Sequence, residues 1–249
     1  MVKIKSFAEA NGIHAVGGFA AADFSQYLET LRARTDCHGV VYRPLSAIEK
    51  GGQIPDWVRT VVVLAMDYFV ESSEVKGPRL SNYVRARWSS IGTKTAALTA
   101  FLEARGCRVE ALDIPRRAAA CRAGLGFIGR NTLFYAHGLG PSVRIAAIGV
   151  DAALEGFGPG EERVAHPRCE NCERCVSACP VGALHSDGSR LLPSRCLSFA
   201  NRHPDAPAVG MPSKLAGWLY GCEICRNVCP IDQEARREDK AESPSFAQV

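Results

Sequence analysis

The sequence predicts a mixed α/β domain followed by a small cysteine-rich module. Three observations lead there. Helix-period and strand-period patterns alternate from the N-terminus to about residue 157. A glycine- and proline-rich stretch, EGFGPGEERVAHP at 155–167, then breaks the pattern. Beyond it, eight of the eleven cysteines fall between Cys169 and Cys229. The expected division is an α/β domain over 1–160, a cysteine-rich module over 161–235 and a charged tail over 236–249, whose last dozen residues are too core-poor to expect fixed structure.

Residues 3–11 read as a short helix stopped by Gly12, and the strand-like IHAVGGFA follows. Asp23 can cap a second helix, with Phe24, Tyr27, Leu28 and Leu31 at one-face spacing. Residues 37–59 are broken up by Pro44, Gly51, Gly52 and Pro55. TVVVLAMDYF is β-branched and nearly continuous, the pattern of a buried strand. A longer helix is expected from Tyr83 to Arg105, ended by Gly106, with Leu98, Phe101 and Leu102 facing inward. CRVEALDI alternates as a strand and Pro115 closes it; RRAAACRAG suits a helix ending in AGLGFIGRN. The strands NTLFYA and SVRIAAIGV flank the turn HGLGPS.

Composition narrows the class. The chain is 47% hydrophobic and 22% charged, ordinary for a globular protein with a core. No apolar run approaches the ~20 residues of a membrane span, and MVKIKSFAEANG lacks a cleavable leader pattern. These point to a cytoplasmic protein with no membrane partner. In such a compartment disulfides are disfavoured, so the cysteines point to metal or redox duty. Residues 79–130 carry ten Arg/Lys against three acids, a net +7 within a chain of +4. That segment is either a set of solvated helix faces or a surface for an anionic cofactor, substrate or nucleic acid.

CENCERCVSACP places Cys169, Cys172, Cys175 and Cys179 before Pro180. This is the C-x₂-C-x₂-C-x₃-C-P run of an iron–sulfur site, whose fourth cysteine ligates the other cluster of a pair. Zinc also takes C-x₂-C pairs, but it usually sets two of them either side of a longer spacer. YGCEICRNVCP supplies Cys222, Cys225 and Cys229 before Pro230, one cysteine short. Reciprocal exchange gives a first 4Fe-4S cluster on Cys169, Cys172, Cys175 and Cys229, and leaves Cys179, Cys222 and Cys225 for a second. Only Cys196 lies between the two motifs, and the Asp-Gly turn signal in ALHSDGSRLLPSRC lets the chain return as a hairpin towards that site. Cys196 is therefore the expected eighth ligand; the alternative is a buried thiol beside an incomplete cluster. Cys107 suits a core, and Cys37 and Cys121 have no partner spacing.

The ordered set RAGLGFIGRNTLFYAHGLGPSVRIAAIGVD, the four-cysteine motif, RCLSFANR and YGCEICRNVCP resembles epoxyqueuosine reductases, cobalamin-dependent two-cluster enzymes related to reductive dehalogenases. FAEANGIHAVGGFAAADF and VVVLAMDYF look like that family's opening helix and strand. The family also uses a remote cysteine where Cys196 stands. The resemblance implies a nitroreductase-like cobalamin-binding domain before a ferredoxin-like double-cluster domain, in a short form without C-terminal helical repeats. It implies that Gly124, Gly126 and Gly129 let the backbone approach a corrinoid, with Arg130, Asn131 and Thr132 as donors; without a ligand, the same stretch is a turn packing a helix onto a sheet. The family's aspartate, in a D-S-A-P segment, is matched only loosely by Asp113 in LDIPRRAAACRAGLG, which also reads as a strand-end polar residue. Tyr68, Tyr83 and His137 are other candidate proton donors.

The implied activity is a reductase moving electrons from two 4Fe-4S clusters to a cobalamin, served by a low-potential electron donor and acting on tRNA. Two alternatives stand beside it: a corrinoid reductase or activator, with a corrinoid or corrinoid protein as substrate, and a cofactor-free electron carrier.

Overall fold

The computed structural model describes residues 4–22, 24–25, 29, 54–68, 79–85, 90–157, 166–186, 191–200 and 217–238. Most of the helix expected from Asp23, together with Cys37, the boundary near residue 160 and the tail beyond Glu238, lies outside them.

Helix α1 (Ile4–Ala10) leads into strand β1 (Ala15–Ala20), which pairs with β2 (Thr60–Asp67). Strand β3 (Arg79–Leu80), α2 (Asn82–Arg85), α3 (Ile91–Glu103), β4 (Val109–Ala111) and α4 (Arg116–Arg122) follow. The hairpin β5 (Gly126–Ile128) and β6 (Phe134–Ala136) precedes β7 (Val143–Val150). The main sheet runs β1-β2-β7-β4 and is antiparallel throughout.

Strand β2 shows why its run is continuous rather than alternating: both faces are covered. Val61, Val63 and Ala65 pack with Ala118, Ala119 and Cys121 of α4. Val62, Leu64 and Met66 face Ile4 and Ala8 of α1 and Leu98 and Leu102 of α3. Truncating Leu98 or Leu102, each fully buried, would cost about 2–5 kcal/mol. Cys107 packs against the second of these layers, as a core position would.

Three expectations need correction. The long helix begins at Ile91, with Ser90 at its cap, instead of at Tyr83; Asn82–Arg85 is a separate turn of helix. The CRVEALDI strand is shorter than expected: it spans Val109–Ala111 at the sheet edge, with one further bond to the β7 side at each end, from the Asp151 N–H to the Arg108 carbonyl and from the Leu112 N–H to the Ala147 carbonyl. The AGLGFIGRN stretch is not a helix end throughout: Gly124, with φ +71, closes α4, and Gly126–Ile128 pairs as a strand with Phe134–Ala136.

Candidate metal centre

The cysteine-rich module is built from two similar units. In the first, the His166 ring accepts the Arg168 N–H and caps the turn Pro167–Cys169. Helix α5 (Arg174–Ser177) carries Cys175, and Cys179 follows. In the second, β8 (Trp218–Tyr220) runs parallel to β3 and delivers Gly221 and Cys222. Helix α7 (Ile224–Asn227) carries Cys225, and Cys229 precedes α8 (Pro230–Glu238). Proline suits the first turn of α8 because the N–H it lacks has no helical acceptor there. Gly221 is fixed by space: at φ +74, an added Cβ would lie 2.2 Å from the Ser81 hydroxyl.

Between the units the chain turns back. Leu184 bridges to Leu191 in antiparallel register, and the Leu192 N–H donates to the Ala183 carbonyl at 2.7 Å. The turn Pro193–Arg195 then leads to Cys196 and α6 (Leu197–Ala200). The expected hairpin is present on either side of residues 187–190, which lie outside the described set.

The eight cysteines gather in two neighbourhoods. Cys169, Cys172, Cys175 and Cys229 line one recess. Burial raises the Cys169 and Cys175 thiols above their ordinary range, and nearby Cys229 and Cys172 raise them further. Cys222 is pushed up to about 11, chiefly by burial, with Cys196 and Cys179 adding to it. Cys225 is raised more strongly, by burial and then by Cys222, Cys196, Cys175 and Cys179. Its interaction with Cys175 shows that the two quartets adjoin. Among the described residues no three Cys, His, Asp or Glu side chains close around a single ion; the first four thiols surround a recess.

Such thiols ionise only when cationic charge compensates them, and iron supplies it. Backbone donors are already aimed at the sulfurs. The N–H groups of Arg130, Val176 and Ile224 bond the thiols of Cys169, Cys175 and Cys222, and Ala183 N–H reaches Cys179 Sγ at 3.2 Å. The donor set fits iron–sulfur clusters.

One of those N–H groups comes from the α/β domain. The β5–β6 hairpin points its tip, GRNT, at the first quartet. Gly129, Arg130 and Asn131 line the cysteine recess with Tyr135. The Arg130 guanidinium donates to the carbonyls of Glu170 and Ser186 at 2.9 and 2.7 Å, tying the domains together. The Asn131 amide donates to the Tyr135 hydroxyl and the Cys225 carbonyl. Thr132 takes a φ of 61°, rare for a β-branched residue, with its carbonyl accepting from Arg117. Gly126 has Tyr135 backbone where a Cβ would stand, and Gly129 has the Tyr135 ring. The stretch marked for a corrinoid thus meets the cysteine module directly.

A second contact joins the domains beside the other quartet. Glu223 accepts from the Asn82 N–H and side-chain amide at 2.7 and 3.2 Å and pairs with Arg226 at 2.9 Å. Arg226 also approaches Asp232, which Arg236 holds from the other side. Glu223, Arg226 and Asp232 are all buried. Nearby stand Tyr68 and Tyr83, edge to face at 6.0 Å, with the Arg144 guanidinium against both rings. Burial pushes Tyr68 up to about 12, opposed by Arg226. The Glu223–Arg226–Asp232 ladder escaped the sequence reading. Its only trace is an E-x-x-R pair inside the second cysteine motif.

The remaining candidates lie apart from these contacts. Asp113 is exposed after β4, 3.9 Å from Arg116. His137 is exposed, its N–H donating to the Leu125 carbonyl. Cys121 is buried in the core under α4. Much of the basic segment stitches the fold: Arg105 stacks on Phe101, Arg108 on Trp57 and Arg122 on Phe24, while Lys94 donates to the Asn11 carbonyl. No helix among the described residues is long and apolar enough to cross a membrane.

Comparison with known proteins matches this geometry. The 4Fe-4S double cluster binding domain family matches residues 168–232. Epoxyqueuosine reductase of Gloeobacter violaceus is 31% identical over 74% of this chain and 60% of its own length. That of Staphylococcus aureus is 27% identical over 94% of the chain and 65% of its own length. The chain therefore spans less than two thirds of either relative. A Bacillus subtilis epoxyqueuosine reductase structure, with its catalytic aspartate loop swung out of the active site, superposes with a TM-score of 0.76 at 25% identity, covering 93% of this chain and 64% of that one. A catabolic reductive dehalogenase shares the fold at a TM-score of 0.63 and 18% identity, over 95% of this chain and 33% of the other. With its mixed α/β domain, antiparallel sheet and 4Fe-4S double cluster domain, the chain belongs to the epoxyqueuosine reductase-like family, structurally related to the reductive dehalogenases.

Proposed function

We propose that the protein is an iron–sulfur oxidoreductase with one 4Fe-4S cluster on Cys169, Cys172, Cys175 and Cys229 and another on Cys179, Cys196, Cys222 and Cys225, delivering electrons to a corrinoid on the α/β domain. The observation that carries it is the crossed placement of the cysteines: Cys229 lines the first motif's recess, and Cys179 and Cys196 stand beside Cys222 and Cys225. The clusters supply single electrons, and a cobalamin supplies a reducible cobalt for the substrate.

This chain's residues do the rest. Arg130, Asn131 and the Glu223–Asn82 contact fix the cluster module against the α/β domain, so that the distance for electron transfer does not wander. Support for a corrinoid comes from two buried polar atoms that meet no hydrogen-bond partner among the described residues, Ser142 Oγ just before β7 and Trp218 Nε1 in β8. Of the glycine-rich stretch, Gly129, Arg130 and Asn131 line the cysteine recess and Gly124 and Thr132 do not, although the Thr132 N–H bonds the Gly129 carbonyl. For the proton, Tyr68 and Tyr83 have the support of their place beside Arg226 and Glu223. Asp113 has that of its exposure after β4.

The nearest activity is reduction of epoxyqueuosine. One epoxyqueuosine reductase of this fold has been crystallised with an epoxyqueuosine-modified tRNA stem loop, and a tRNA substrate for this chain is part of the proposal, with a low-potential donor feeding the clusters. A second reading, a cofactor-free electron carrier, is favoured by one observation: Arg130 and Asn131 already bond the cluster module. Anaerobic reconstitution followed by cobalamin titration separates them. The reductase reading expects about eight irons per chain, four per cubane, and saturable corrinoid binding. Eight irons without corrinoid binding would leave the electron carrier. Binding of the tRNA stem loop that is absent, or insensitive to salt, would remove the tRNA substrate.

A further inference from the structure

The first quartet carries a neighbour that ligation does not require. Tyr135, in β6 of the α/β domain, is 1% exposed and lines the recess with Cys229. The ring is clamped. Phe127 stacks on it at 5.2 Å and 5°, and Gly129 leaves no more room than a hydrogen needs, since a Cβ there would stand 2.8 Å from the ring. Phe127 in turn meets His166, which caps the turn bearing Cys169.

Donor accounting sets the direction of the phenol proton. The Asn131 carboxamide oxygen accepts the Leu133 N–H at 3.3 Å, which turns its NH₂ group towards Tyr135. That NH₂ reaches the Tyr135 oxygen at 2.7 Å. An amide NH₂ only donates, so the phenol oxygen accepts and its own proton is left for another acceptor. Cys229 is the acceptor at hand: it lines the same recess as Tyr135, and the two side chains are hydrogen-bond partners.

We propose that Tyr135 is a tuning residue for the first cluster, donating an O–H···S hydrogen bond to the Cys229 sulfur and, through it, raising that cluster's reduction potential above that of an otherwise equal site. A hydrogen bond to a cluster sulfur draws charge from the iron and so favours the reduced state. Asn131 orients the donor. Because Asn131 also holds the Cys225 carbonyl at 3.3 Å, one amide links the tuning group of the first cluster to the ligand loop of the second. The inference rests on the cluster assignment given above.

The test is a redox titration of the full chain, reconstituted anaerobically and followed by electron paramagnetic resonance. Tyr135→Phe keeps the ring and removes only the hydroxyl. It should retain the iron of the wild type, lower the midpoint of one cluster and leave the other in place. Replacing Tyr135 by 3-fluorotyrosine makes a stronger donor of nearly the same shape and should move the same midpoint upwards. This second variant decides the matter if Tyr135→Phe fails to hold iron. Midpoints that stay put in both variants, or that move together for both clusters, would overturn the proposal. A wild-type chain that takes up no cluster would instead overturn the assignment beneath it, so the two failures are distinguishable.

Discussion

The two thiol quartets differ in how they are made. Three members of the first come from seven consecutive residues, Cys169 to Cys175, and a turn plus a short helix hold them. The second draws Cys179, Cys196, and Cys222 with Cys225 from three separate segments. Their surroundings differ too. The first borders a hairpin tip that offers amides and a phenol. The second borders a buried ion pair, Glu223 and Arg226. The first needs one distant cysteine, Cys229, brought to a loop that already holds three, whereas the second needs three segments of the fold to be in register. The second quartet should therefore be the more easily lost.

The largest expected effect breaks that asymmetry outright. Cys196→Ser should remove or transform the second cluster, reducing iron from about eight towards about four per chain while the first cluster's signal persists. Iron analysis with electron paramagnetic resonance checks it, and unchanged iron and spectra would exclude Cys196 as a ligand.

Next comes the charge ladder. Arg226→Ala leaves Glu223 and Asp232 buried without their shared cation, and the expected loss is about 3 kcal/mol. Denaturant unfolding should show it, with the second cluster bleached before the first. Simultaneous bleaching would mean that the quartets are not independent in stability.

A smaller effect appears only in alkali. Tyr68 is raised from the ordinary phenol range to about 12. The native state therefore keeps its proton where the unfolded chain loses it. Its contribution is whole below about pH 10 and is lost as pH climbs to about 12, a span worth about 2–3 kcal/mol. Tyr68→Phe should flatten that part of the stability profile and leave neutral pH unchanged. A profile identical to wild type would show that the phenol is not protected by burial.

The smallest lies on the first quartet's outer side. Arg168 and Glu234 form a two-pronged ion pair at the surface, with both side chains about half exposed. Solvent and salt screen such pairs. Arg168→Ala should leave the melting temperature and iron content unchanged, and a clear fall in either would place the pair among the cluster's supports.

What could be read from the chain follows the same division between local and remote. The first motif was readable because its spacing is itself the geometry of the loop. Cys196 was readable because one cysteine remained and an Asp-Gly signal offered a way back. Strand β2 was readable from its unbroken apolar run. The hairpin at Gly126–Ile128 was not, because Gly126 serves close approach to the Tyr135 backbone and Gly129 to its ring, partners invisible in composition. The excess of arginine suggested a surface for anions, yet stacking of Arg105, Arg108 and Arg122 on aromatic rings is internal work that charge counting does not distinguish from solvation. Glu223 and Arg226 drew no reading at all, because an E-x-x-R spacing carries no sign of burial, whereas in the fold the pair is buried and Glu223 accepts from the Asn82 N–H of α2.

The reciprocal placement of Cys179 and Cys229 has a consequence for biosynthesis. Cys229 follows every other proposed ligand in the sequence, so a ribosome exposes the first cluster's final corner last. Until then the first motif presents three thiols and the second site waits on Cys222 and Cys225. The second cubane can close once Cys225 has emerged, whereas the first cannot close on a nascent chain that has not passed residue 229. The electron path would thus be completed at its first cluster, and the cell's iron–sulfur delivery apparatus would meet a chain whose α/β domain has already emerged.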